Sequence, residues 1–210
     1  MALAPPIMVA MLAIATCAAA MVVAGAAASE GYSAWLEDRN VTVADSIATV
    51  GPESECVALS DITAGDRLLH VPPESVVTTS VVMNSHLNKT LVAINMQLPP
   101  QIVLALFLVE AKHNDSSPFS TYARQLPSEF NTSIFFSNEE LLELQGSALL
   151  VSTLQRKALL ELDYKTIETA LADVPAEDNV FPEGALTLDS FTWALSVVWS
   201  RGVLVSFEES

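Results

Sequence analysis

Arg201 stands at the carboxyl end of an apolar run, 191–201, in which Phe191, Ala194, Leu195 and Val198 recur at helical spacing and continue onto Gly202. A guanidinium in that place can hold a carboxylate through two parallel hydrogen bonds. The position equally suits an ordinary cation, because the carboxyl end of a helix carries partial negative charge. The residues alone leave both open. Other chemistries lack their parts. No Gly-x-Ser-x-Gly elbow is present for hydrolysis and no Gly-rich loop precedes a helix for phosphate binding. His70, His86 and His113 stand apart and form no zinc spacing with cysteine. Cys17 lies in an amino-terminal apolar run, which leaves Cys56 without an intramolecular disulfide partner; it is expected to serve as a small buried residue of a strand. Glu139 and Glu140 are neighbours on a helix, point in different directions and read as solvated first-turn charges.

The elements that must position these residues fall into two blocks. Runs at 56–59 and 67–71 are flanked by Asp61, Gly65 and Pro72-Pro73, which predicts two paired strands joined through 61–65. From Pro100 onward Ile102, Val103, Leu106, Phe107, Leu108 and Val109 make a helix apolar nearly all round, and such a helix belongs in a core. Ser137 with Glu140 three residues later predicts a capping box, with Gly146 suited to the helix end. Leucines repeat at helical spacing over 149–171, an acidic Pro-containing loop follows at 173–184, and Thr187 or Asp189 is placed to cap the last helix. The expected class is α+β: a small antiparallel β unit over 50–80, then a mainly helical segment over 80–205. No internal repeat and no linker divides residues 29–210.

With 25 acidic against 9 basic residues, a net charge of −16 is a poor match for a phosphate backbone, so nucleic acid is not an expected partner. An acidic surface serves solubility and accommodates a cationic protein partner. Residues 1–28 carry no charged side chain, and 7–28 is apolar or small apart from Thr16. That predicts a signal peptide cleaved after Ala28, or an uncleaved signal anchor, and hence the secretory route, with membrane attachment only if the leader is retained. Four sequons, at Asn40, Asn88, Asn114 and Asn131, are compatible with glycosylation on that route.

Six stretches in order carry a further signal: 58–65 (ALSDITAG), the strand-like 67–72, the apolar helix 101–110, 119–127 (FSTYARQLP), 135–146 (FFSNEELLELQG) and 191–201 (FTWALSVVWSR). Together they resemble the first half of the SET-domain protein methyltransferases, in the branch of the Rubisco large-subunit lysine methyltransferases and the actin-histidine methyltransferase. The resemblance implies S-adenosylmethionine as cofactor and a protein lysine, or less often histidine, as acceptor. It makes Arg201 a cofactor ligand and places His86, Leu87 and Asn88 where the family contributes backbone contacts. At the family's Gly-x-Gly motif this chain has Glu53-Ser54-Glu55, whose carboxylates would crowd the pocket and repel the cofactor carboxylate. The family's Asn-His pair and active-site Tyr follow the Arg helix, whereas here no Asn follows Asn179, no His follows His113 and no Tyr follows Tyr164. The catalytic residues are therefore unassigned, and an incomplete SET domain without turnover of its own is expected. The alternative is a catalytically dead SET-like interaction module. The resemblance also brings a second location, a plastid reached through a bipartite leader.

Overall fold

A computed structural model describes residues 8–11, 30–50 and 55–205. Its centre is α4 (Pro100–His113), where every residue from Ile102 to Ala111 is buried. Pro99-Pro100 starts this helix with φ already set, Lys112 and His113 occupy the last turn, where cations are favoured, and Asn114 ends it. Against α4 packs α8 (Leu188–Arg201). Thr187 and Ser190 form a capping box at its start, the Ser190 amide donating to Thr187 Oγ1 at 3.1 Å and the Thr187 amide to Ser190 Oγ at 2.8 Å. Phe191, Ala194, Leu195 and Val198 are buried as their spacing predicts, and Trp193 and Val197 are buried too. The covered arc is wider because 127–130 also closes over this helix, the Trp193 indole donating to the Pro127 carbonyl at 2.7 Å.

Around this pair lie α1 (Glu30–Asp38), α2 (Thr79–Met83), α3 (Leu87–Ile94), α5 (Ser120–Gln125), α6 (Asn138–Glu143) and α7 (Ala148–Ala172). The Ser137–Glu140 capping box at the head of α6 is present. Glu140 accepts from the Ser137 amide at 2.8 Å, and this bond is the main reason its carboxyl titrates below the usual range. The leucine repeat of α7 is only partly core. Thr153, Leu160 and Ile167, seven residues apart, make the buried line, while Val151, Leu154, Leu159 and Leu162 remain exposed. A lone helix touching the body along one narrow stripe cannot cover its other apolar residues.

The β unit begins earlier and pairs differently from the sequence expectation. β2 (Thr42–Val43) pairs antiparallel with β5 (Leu69–His70), and β3 (Ile47–Val50) pairs with β4 (Glu55–Ala58). The runs at 56–59 and 67–71 are therefore not each other's partners. Between them the Thr63 amide donates to the Asp66 carboxylate at 2.8 Å and Gly65 adopts φ 99°, a turn that leads the chain away from β4 and delivers β5 to β2. The upstream partners lie largely before residue 50, outside the predicted unit. Cys56 is in a strand as expected.

A third sheet has the order β6-β1-β7, with β1 (Met8–Met11) between β6 (Val77–Thr78) and β7 (Gly202–Val205), both antiparallel to it. One expectation changes here. Residues 202–205 continue as strand, not helix, since the Gly202 backbone is extended at φ −73° and ψ 135°. Four residues of the anticipated leader take part in the sheet, because Met8, Val9, Ala10 and Met11 can satisfy the edges of two strands at once. The rest of the leader lies outside the described residues, as do 51–54 and with them Glu53 and Ser54 of the expected cofactor motif. Among the described residues no helix is long and apolar enough to cross a membrane.

Candidate functional site

Arg201 is the last residue of α8, and the sequence builds its position from both ends of that helix. The capping box at Thr187 fixes where the helix starts, and burial of one broad face against α4 fixes its rotation. Fourteen residues later the chain reaches Arg201 and passes directly into β7. The guanidinium sits 5.9 Å from the centre of the Phe130 ring, and its Nη1 donates to Ser200 Oγ at 3.0 Å. Its Nε is buried and has no hydrogen-bond partner among the described residues. A buried cationic donor left unpaired costs free energy that an incoming carboxylate would offset. Beside it, Phe130, Ser133, Thr153, Arg156, Trp199 and Ser200 line a cavity of about 310 Å³. Arg156 lies over the Trp199 ring at 5.1 Å, so two guanidinium groups stand on this side of the molecule.

The other predicted cofactor residues lie at the head of α3. His86 is exposed at the head of α3, Leu87 is fully buried in the core, and Asn88 is half-buried with its amide already donating to the Ser85 carbonyl at 3.2 Å. His86 lines a second cavity, of about 470 Å³, between α2, α4 and residues 117–119. None of the residues lining it belongs to α8, and no described contact joins Arg201 to the 86–88 segment.

Of the four sequons, Asn40 and Asn131 are exposed and Asn88 and Asn114 half-buried. Asn114 commits its amide nitrogen to Glu110 at 2.6 Å and its Oδ1 to the Ser116 amide at 2.9 Å. Tyr122 is fully buried, as a packing aromatic should be. Trp35 of α1 stacks on both Tyr32 and Tyr122, and its indole and the Arg39 guanidinium each donate to the Pro118 carbonyl at 2.8 Å. Residues 117–119 are held in place by this cluster.

Glu110 is the group that sequence reasoning passed over. It is a carboxylate inside the most buried helix, 2% exposed, and it lines the larger cavity. Burial pushes its carboxyl above the usual carboxylate range, against smaller opposing effects from the Asn114 hydrogen bond and from His86. One acidic residue closing a run of eight apolar positions was the available signal. Among the described residues no group of three or more His, Cys, Asp or Glu could hold a metal ion.

Over about 80% of its length this chain is homologous to SET-domain protein methyltransferases of the Rubisco large-subunit lysine methyltransferase branch, and SET-domain structures share its fold. It is 32% identical over 170 residues to the chloroplastic [fructose-bisphosphate aldolase]-lysine N-methyltransferase of Arabidopsis thaliana, covering 80% of this chain and 34% of that protein. It is 30% identical over 170 residues to the chloroplastic Rubisco large-subunit N-methyltransferase of Pisum sativum, covering 80% and 33%. The actin-histidine N-methyltransferase of Danio rerio is 28% identical over 145 residues, covering 69% and 24%. Among solved structures, the SET domain of the Rubisco methyltransferase bound to lysine and S-adenosylhomocysteine superposes with a TM-score of 0.70 at 29% identity, over 81% of this chain and 38% of that one. The same enzyme bound to S-adenosylmethionine gives 0.69 at 28% identity, over 83% and 42%. No protein-family profile matches the chain. The chain spans about a third of the length of the curated relatives it matches. The pea and Arabidopsis relatives are chloroplastic, which overturns the secretory expectation drawn from residues 1–28. An uncharged apolar leader records hydrophobicity, not destination, and its composition could not separate the two routes.

Proposed function

We propose that this chain is the cofactor-arginine part of a SET-type, S-adenosylmethionine-dependent protein methyltransferase that acts on a protein lysine in a plastid. The observation that carries the proposal is the buried, unpaired Nε of Arg201 at the end of α8. A guanidinium in that state fits the carboxylate of an amino-acid cofactor, and relatives of this architecture have been solved with S-adenosylmethionine or its demethylated product bound. When bound, the cofactor supplies the electrophilic methyl group. The residues of this chain bind and orient: Arg201 holds the carboxylate, Phe130 lies beside the guanidinium, and the α4–α8 pair fixes both.

The 210 residues by themselves do not methylate. Methyl transfer needs the acceptor amine in line with the sulfonium methyl in a water-poor channel, and the described residues lining the cavity beside Arg201 include no Tyr, His or Asn. Calorimetric titration of the full chain with S-adenosylmethionine tests the assignment. Weak binding that falls at least tenfold in Arg201→Ala is expected, with no radiolabelled methyl passing to mixed plastid proteins. Binding indifferent to Arg201, or turnover by this chain alone, would overturn it.

A second function, a catalytically dead module that binds a protein partner, draws support from the exposed Val151, Leu154, Leu159 and Leu162 on α7. Sequencing the transcript past codon 210 discriminates the two. A continuing frame with an Asn-His pair and a later Tyr supports the enzyme, and a stop after Ser210 supports the module.

A further inference from the structure

Glu110 forms no ion pair among the described residues, and His86, at the mouth of the same cavity, acts on it electrostatically. Neither of the ion pairs among the described residues, Lys89–Asp178 and Arg124–Asp115, involves it. One carboxylate oxygen accepts from Asn114 at 2.6 Å. Glu110 also lines the cavity of about 470 Å³. The Asn114 bond has an ordinary structural use, since it ties the end of α4 to the turn at 114–117. That use accounts for one oxygen, and burying a carboxylate is costly unless a cation or further donors meet it.

The walls of the cavity say what would fit. Val81, Phe107 and Phe119 give it apolar and aromatic sides, and Asn84, Ser85 and His86 give it a polar mouth. Its volume lies within the range of roughly 300–1,000 Å³ usual for small-molecule sites, which combine apolar walls with a few placed polar groups. Phe119 is backed by the Arg39 guanidinium 4.3 Å from its ring centre, so this wall is held from behind. We propose that the cavity between α2, α4 and residues 117–119 binds a small organic cation, its amidinium or ammonium group against Glu110 and its apolar body against Phe107 and Phe119. None of its lining residues belongs to α8, and the proposal does not rest on the methyltransferase assignment.

Benzamidine carries such a cation on an aromatic ring, and benzamide is a neutral molecule of nearly the same shape. Ligand-observed NMR titrations of the full chain with each are expected to show benzamidine binding at least tenfold more tightly. Glu110→Gln should abolish that preference, while Glu139→Gln, on the exposed surface of α6, should leave it unchanged. Val81→Phe fills the cavity without touching the carboxylate, so it should weaken both ligands and keeps the test decisive if Glu110→Gln folds poorly. Equal affinity for the two ligands, or benzamidine binding that survives both Glu110→Gln and Val81→Phe, overturns the proposal.

Discussion

Replacing Trp193 with Phe should destabilise the chain by about 2 kcal/mol, a figure assembled from two contacts. The indole N–H donates to the Pro127 carbonyl at 2.7 Å; removing it leaves a carbonyl in a closed contact without its partner, costing about 1 kcal/mol. The Lys112 ammonium lies 3.7 Å from the centre of the Trp193 ring, an attraction worth about 0.5–1 kcal/mol that a phenyl ring keeps only in part. Some apolar contact is lost as well, because Trp193 is buried between α4 and residue 127. Lys112 itself is partly desolvated, and burial lowers its pKa. Lys112→Met should therefore be nearly neutral, losing the ring contact and the desolvation cost together. Urea unfolding of wild type, both single variants and the double variant would give a coupling energy of about 0.5–1 kcal/mol. Because the Pro127 bond also anchors the segment leading to Phe130, Trp193→Phe should loosen the surroundings of Arg201 and weaken cofactor binding. A loss below about 0.5 kcal/mol with no coupling to Lys112 would refute the reasoning.

Thr187→Ala removes the cap of α8 and should cost about 1 kcal/mol in chemical unfolding, with Thr187→Ser close to wild type. Leu160→Ala, at a buried position of α7, should cost about 2–5 kcal/mol, whereas Leu162→Ala, exposed on the same helix, should stay within about 0.5 kcal/mol. Glu110 predicts a pH dependence whose sign follows from its raised pKa. In the unfolded chain the carboxyl releases its proton near its ordinary value of about 4.5, while the folded state holds the proton to higher pH. The contribution of Glu110 to stability therefore falls as pH rises from about 4.5 through the raised value, and then levels off. Unfolding of wild type and Glu110→Gln between pH 4 and 8 should diverge in that direction, the variant becoming relatively more stable towards neutral pH, and parallel profiles would refute it.

Local signals carried much of the helical block. The apolar run after Pro100, the Ser137–Glu140 box and the Thr187 cap each depend on residues within a few positions of one another, so the sequence states them directly. The six ordered stretches also pointed to the family that the relatives and solved structures support. What the tertiary structure decided was every pairing between distant segments. Strand propensity marked 56–59 and 67–71 but could not choose their partners, since ladder hydrogen bonds are the same for any two strands and the turn at 61–66 turned them apart. Helical spacing marked the leucines of α7 but not which would find a neighbour, and only the stripe at 153, 160 and 167 did. Glu110 shows the same division. Its type is plain in the sequence, yet its burial and its cavity exist only because α2, α4 and residues 117–119 close around it. Arg201 was legible as a cation at a helix end, and its unpaired, buried Nε came from the packing of α8 beside Phe130.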